Sequence, residues 1–492
     1  MTTRALRIAA AVAALAAAPP PAAGPGPTAA ALLDVAKAAD EGDCKTVVKR
    51  GPPLLDLGGA SAIPAELVPP AYDMVVACEV QEGAAAAALA HALRGTAVEA
   101  SSDYLWRTRL ALQVEAKQYE PAVATIEAMS QGRGAVLNGN PDLVGLTYRK
   151  VRDDAPALQP RLLKVLASDA YAPEKYYGPP DGYRYEYAVL LAEGGDKASA
   201  KAMLSGLRDP DIIAKALVDL RVRGLLDREP DLRQAMEAML AGHRDAVARF
   251  PQRLGPLLMA AGDLRRLGRP NEAVALLQSV AARLDDPKDF EDKDEYLNWW
   301  WDGLAHSYAA AGKYAEAVAA FRKGAALNEG ELPNVSQVIN LASLQYDWGH
   351  GADAVATLAP LDDPKARMSP YGSMQLHGAR ACAHAADKHP EAAAQDLAYI
   401  RAHGKDSPAT LGFTLLCLGD FEGAAAAYIR RLDDPKLRTD ALRELSEYDA
   451  SPSGAPDPLG NRLAALRGRA DVKAAIARAG GTRRFHLQPP EV

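Results

Sequence analysis

Apolar residues along this chain recur three and four positions apart, and no strand-rich block interrupts them, so the pattern predicts helices throughout. The clearest stretch runs from Trp301 to Phe321, WDGLAHSYAAAGKYAEAVAAF. Trp301, Leu304 and Tyr308 form the stripe of one helix, Gly312 ends it, and Tyr314, Ala317 and Phe321 form the stripe of a second. Ala317 is small enough to let the two axes approach closely. Neither helix is long enough to bury its stripe alone, so each pair needs a neighbour. Trp106, Tyr119, Ala122 and Ile126 stand at the same mutual offsets.

In chain order, Thr28 caps a helix expected over 29–41, and a second begins at Cys44 and stops at Gly51-Pro52-Pro53. A further pair is centred on Gly83. Residues 131–187 are less regular and contain a loop from Tyr171 to Tyr187, whose prolines and glycines forbid a continuous helix. Helices over 185–192 and 198–204 flank Gly194-Gly195, and two longer helices are expected between Pro210 and Phe250. From Pro251 the pattern becomes regular. Gly268, Gly312, Gly349 and Gly419 each precede a small residue by five positions, at Ala273, Ala317, Ala354 and Ala424. Four positions later stand Leu277, Phe321, Leu358 and Tyr428. The long interval between Gly349 and Gly419 has room for two units, which places one more turn near Asp387 and His389. The surplus between Gly268 and Gly312 falls to the acidic segment Asp285–Tyr296, read as a solvated insertion. After Pro435 the chain should form a helix to Tyr448, a linker from Ser451 to Gly460, and a polar helix bearing Arg462, Arg467, Arg469 and Lys473.

The stretch Trp301–Phe321 resembles the tetratricopeptide repeat (TPR), with Ala305 in place of that family's glycine and without its closing proline. The resemblance implies an all-α protein, an α-α superhelix (a solenoid of TPR-like helix pairs) in which the first helix of each pair lines a concave groove. Transferring that register puts Arg265 and Arg266, then Trp299, Asp302 and His306, then Ser343 and Tyr346 in the groove, where the family contacts a peptide or a partner helix. Family members that clamp a terminal carboxylate use Lys and Asn at such positions; Asp302 and His306 stand there instead, so that ligand is not expected. The layout becomes a signal peptide over 1–23, degenerate TPR-like repeats over 24–250, a regular array over 251–435, and a helical cap and tail over 436–492. Cys44 and Cys78, and Cys382 and Cys417, are each about one repeat period apart. Equivalent helices of adjacent repeats lie side by side. Two disulfides are therefore expected, the alternative being four reduced thiols acting as small hydrophobes.

Charge and composition narrow the partners. The net charge is -7 with no basic stripe, which argues against nucleic acid. Arg4 and Arg7 precede an apolar run from Ile8 to Ala18 and then Pro19-Pro20-Pro21, the layout of a secretory signal. That run is shorter than the ~20 residues a membrane-spanning helix needs. No cysteine lies near it, so a lipoprotein is not expected; the mature chain should be periplasmic or secreted, without stable membrane insertion. His377, Cys382, His384 and His389 cluster but match no closed zinc spacing, and the acidic segment lacks the ligand register of a calcium loop. Neither a nucleophile elbow, a zinc-protease motif nor a phosphate loop is present. No cofactor, metal or catalytic residue is expected. In Trp299-Trp300-Trp301, successive side chains point ~100° apart; Trp301 is assigned to packing, and Trp299 either to the groove or, with Trp300, to covering the acidic segment. The expected function is a non-enzymatic scaffold that binds a protein or peptide. The alternative is a cell-wall (peptidoglycan) enzyme-like or glycan-binding superhelix, resembling lytic transglycosylases in architecture, though the residues after Pro435 are too few for a lysozyme-like domain.

Overall fold

The computed structural model describes residues 27–57, 63–173, 180–226, 230–286, 288–327, 334–362 and 368–490. The expected export segment, 1–23, lies outside them. Among the described residues every regular element is helical, and one isolated parallel bridge joins Glu447 to Arg484. The chain divides into two compact units, 1–176 and 177–492.

The first unit contains α1 (Pro27–Asp40), α2 (Cys44–Leu55), α3 (Val68–Gln81), α4 (Ala85–Thr96), α5 (Asp103–Glu115), α6 (Tyr119–Gly132), α7 (Gly134–Asn138), α8 (Pro141–Asp154) and α9 (Gln159–Leu166). The helix expected to stop at Gly51 runs on to Leu55 with Pro52 and Pro53 inside it. Packing overrides the local signal here: a Cβ on Gly51 would lie 2.6 Å from Val75 Cγ2, so the contact with α3 holds the last turn in place. Ala122 and Ile126 are fully buried, as their offsets predict. The turn before them carries Lys117 at φ 56° instead of a glycine. The stretch read as irregular after residue 131 is mostly helical, because Pro141 and Pro160 sit in the first turns of α8 and α9, where a missing N–H is harmless.

The second unit begins with α10 (Asp181–Glu193), α11 (Lys197–Ser205), α12 (Pro210–Val218) and α13 (Leu232–Arg249). Only the second of the two long helices expected here is long. α12 stops at Asp219, whose buried carboxylate accepts hydrogen bonds from the Tyr185 hydroxyl and from Arg221. The array follows as helix pairs: α14 (Gly255–Arg266) with α15 (Pro270–Gln278), α16 (Lys293–Ala310) with α17 (Tyr314–Ala325), α18 (Val335–Asp347) with α19 (Gly351–Leu358), α20 (Pro370–Ala386) with α21 (Pro390–Ala402), and α22 (Pro408–Cys417) with α23 (Phe421–Asp433). The four turn glycines take φ between 73° and 84°, a conformation other residues adopt at a cost. The expected extra turn is present at Lys388, φ 63°. Ala273, Ala317, Ala354 and Ala424 are each 0% exposed, and the residues four positions on are buried with them. Ala317→Leu should therefore overpack the α16–α17 interface and lower stability by ~1–3 kcal/mol, read as a lower urea midpoint.

Two sequence expectations need correction around the α15–α16 connection. The acidic segment is not simply solvated: the Asp292 carboxylate accepts from the N–H groups of Leu254 (2.8 Å) and Gly255 (3.0 Å) at the start of α14, and Phe290 is buried beneath Arg283. The surplus residues also lengthen α16, which has 18 residues against 12 in α14. Trp301 packs against the core as expected but is only half-buried, with Lys323 over its ring; the fully buried tryptophan is Trp300, 1% exposed. The core stripe of α16 is Trp300 and Leu304, one turn apart.

The C-terminal part does more than cap. The single polar helix expected after Gly460 is two, α25 (Pro458–Gly468) and α26 (Ala470–Ala479), broken at Arg469, which pairs with Asp471 and Glu422. α24 (Arg438–Glu444) packs on α12, and α26 buries Val472, Ala475 and Ile476 as it packs on α23. Residues 482–490 then carry no helix and bond back to earlier elements. Glu447 N–H bonds to the Arg483 carbonyl, Phe485 N–H to Glu447, Asp449 N–H to Leu487, and Gln488 N–H to Arg266, at 2.7 to 2.9 Å. Arg223 bonds the Gly480 carbonyl and Lys215 pairs with Asp440 at 3.2 Å. The second unit is thus closed, its last elements packed on its first.

Candidate inner-face binding site

The first helices of the five pairs, α14, α16, α18, α20 and α22, share one cavity of about 440 Å³. Each contributes from its inner side: Arg265 and Arg266 from α14, His306 and Ala310 from α16, Asn340, Ser343, Tyr346 and Asp347 from α18, Gln375 and Cys382 from α20, Thr410, Thr414 and Cys417 from α22. Five residues assigned to the groove from sequence line it: Arg265, Arg266, His306, Ser343 and Tyr346. Trp299 stands outside it, 36% exposed. Asp302 is buried behind it, where it accepts from Asn340 Nδ2 at 2.9 Å and faces His306 at 3.6 Å. It positions two lining side chains and does not itself line the wall.

Several lining groups are already committed. Arg265 donates to the Gly303 carbonyl (3.1 Å) and the Ser307 hydroxyl (3.0 Å), which ties α14 to α16. Arg266 pairs with Asp211 at 2.6 Å, and its Nε and one terminal nitrogen have no hydrogen-bond partner among the described residues. His306 meets the Phe321 ring edge-on at 5.1 Å. Cys382 and Cys417 are joined, with Cα atoms 5.7 Å apart, and link α20 to α22 in the cavity wall; Cys44 and Cys78 join α2 to α3 at 4.8 Å. The His and Cys residues near position 384 do not assemble: His377 bonds Asp396 (2.7 Å), and Cys382 is in its disulfide. Among the described residues no group of three or more His, Cys, Asp or Glu could hold a metal ion.

What the sequence did not reveal is that the chain covers its own groove. Asp449, Ser451, Pro452, Ala455, Pro456 and Asp457 lie over the inner helices, with Arg462 and Gln488 beside them. The composition of 451–460 predicts a linker, and the apolar pair Phe485 and Leu487 is the local sign in the sequence that the tail docks.

Burial first, and then the facing charge of Asp457, push the Asp347 carboxyl up to about 7 against the opposing charge of Arg462. Burial, then Asp347, also raises the Tyr346 hydroxyl. Because folded Asp347 holds its proton more tightly than the unfolded chain, its contribution to stability is greatest below pH ~4, falls as pH rises to about 7, and is level above. Asp347→Asn should remove that slope. It should match the native protein at pH 4 and exceed it by ~1–4 kcal/mol at pH 8, measured by urea denaturation at both values.

No family model and no curated protein matches the chain. Among solved structures it is similar to a hetero-tetramer of the APC/C subunits Cut9 and Hcn1, at 13% identity over 96% of this chain and 98% of that one, TM-score 0.31. It is also similar to Naa15/Naa10 bound to HypK-THB, at 15% over 92% and 73%, TM-score 0.23. A circular tandem repeat protein with a novel repeat topology matches at 13% over 91% and 88%, TM-score 0.13. At such scores the fold rests on the chain's own geometry: this is an all-α protein built of TPR-like helix pairs.

Proposed function

We propose that this chain is an exported, non-enzymatic scaffold that holds a protein or peptide partner along the inner face of α14, α16, α18, α20 and α22. The observation that carries the reading is the shared cavity: five consecutive first helices contribute to one wall, and that wall mixes donors, acceptors and small residues instead of converging on one reactive group. Such a surface suits extended recognition by main-chain and side-chain hydrogen bonds. Export and a periplasmic or secreted location are supported by the Arg4-to-Pro21 layout. The two adjacent cysteine pairs add support, since such pairs persist in oxidising compartments. In this reading residues 251–435 supply the binding array and 436–492 its closure. No helix among the described residues is long and apolar enough to cross a membrane.

The test is site-specific photo-cross-linking in the native host. A cross-linker at Ser343, on the inner wall, should capture a partner, and one at the exposed Glu316 of α17 should not. Capture at Glu316 alone, or peptidoglycan clearing by the purified protein, would overturn the reading.

A further inference from the structure

The chain already places a peptide on the inner face, and the way it does so points to the kind of partner that fits. Residues Ser451–Gly454 form a turn closed by Gly454 N–H to the Ser451 carbonyl at 3.3 Å, with Pro452 at its second position, where its fixed φ pre-sets the bend. The tip of that turn rests on two successive repeats. The Ser453 hydroxyl donates to the Ala310 carbonyl at the end of α16 (2.6 Å). A Cβ built on Gly312 would lie 3.6 Å from Ser453 Cβ, and one on Gly268 would lie 3.8 Å from Pro452 Cγ. The left-handed glycines that let each helix pair reverse thus leave two bare sites, one repeat apart: the proline turn covers Gly312 and shares Gly268 with the Gln488 side chain, whose Nε2 is the nearer at 3.6 Å.

The occupant is held lightly. Pro452, Ser453, Gly454 and Pro456 are all exposed, and this strap places no large apolar side chain in the wall. Its anchors are at its ends: Asp449 N–H on the Leu487 carbonyl and Asp457 capping α25 through Gly460 N–H. A segment of small residues fixed at both ends and seated by the Ser453 hydroxyl bond, with Gln488 Nε2 donating to the Ala450 carbonyl at 3.0 Å, can lift without unpacking the helices that flank it.

We propose that the inner face recognises a peptide presenting a proline-centred turn of small residues, and that residues 450–456 of this chain are an internal occupant of that seat, which a partner displaces. This rests on the inner-face reading above. The seat admits the turn closely because the surfaces under the tip are glycines and carry no side chain, and it favours the turn because proline limits the freedom lost on binding.

A fluorescein-labelled synthetic peptide, DASPSGAPDP (residues 449–458), tests this by anisotropy. It should bind a full-length variant in which residues 450–456 are replaced by a glycine-serine segment of equal length at least tenfold more tightly than it binds the native protein. The same peptide with glycine in place of its first proline should bind that variant at least fivefold more weakly. Should the replaced protein fail to melt cooperatively, the double variant Pro452→Gly, Pro456→Gly, which keeps chain length and caps, takes its place. Equal affinity for native and altered proteins, no binding to either, or equal binding of the glycine peptide would each overturn the proposal. Partner capture at Ser343 with a negative peptide result removes the internal occupant alone, whereas peptide binding without any captured protein removes the scaffold reading.

Discussion

Trp300→Ala should destabilise the protein by ~3–5 kcal/mol, the range for truncating a fully buried large aromatic. Trp299→Ala should stay within about 0.5 kcal/mol. The contrast follows from position on α16: Trp300 is 1% exposed, packs edge-on against Trp301 at 4.7 Å and belongs to the continuous core that links α14 through α17, whereas Trp299 is 36% exposed. Urea denaturation of the two variants beside the native protein measures both. Similar losses from both would place the wrong face of α16 in the core and would move His306 off the inner wall with it.

Phe485→Ala should cost ~3–5 kcal/mol of the second unit's stability, although only seven residues follow it in the sequence. Its side chain is 2% exposed and packs against Tyr448 at 5.5 Å, and its N–H bonds to the Glu447 carbonyl. A tail that merely trailed from the last helix would tolerate this change. His486→Ala, the exposed neighbour, is the control and should change stability by less than about 0.5 kcal/mol.

The periodic part of this fold was legible because its requirements are local. A left-handed turn asks for glycine, a close helix pair asks for alanine five residues later, and the interface asks for a large apolar residue four beyond that; all three fall inside ten residues. Gly268, Gly312, Gly349 and Gly419 therefore announced the array, and the spacing alone located the turn at Lys388, which carries no glycine. The inner face followed from the same register, which is why five of the residues assigned to it line one cavity. Trp300 escaped the one-stripe reading because α16 packs against α14, α15, α17 and α18, so its buried face is wide enough to take two successive side chains ~100° apart. Asp302 missed the wall for a related reason, being turned inward where Asn340 can reach it.

The closure was illegible because it joins residues far apart in sequence. Arg223 to Gly480, Arg266 to Gln488 and Ala310 to Ser453 are contacts that no window of fifteen residues can contain. Proline, glycine and serine over 451–456 carry the composition of a loop whether or not the loop is seated. Asp292 posed the same problem on a smaller scale: an acidic residue in an acidic run gives no sign that its carboxylate caps α14, nearly forty residues earlier.

The account turns on the groove being covered by the chain's own closing segment, and amide hydrogen exchange reads that directly. The N–H groups of Phe485 and Gln488, bonded to Glu447 and Arg266 across the closure, should be protected as long as the amides of α23, despite their place at the end of the chain. Exchange of both at the rate of an unstructured tail, with α23 still protected, would contradict it.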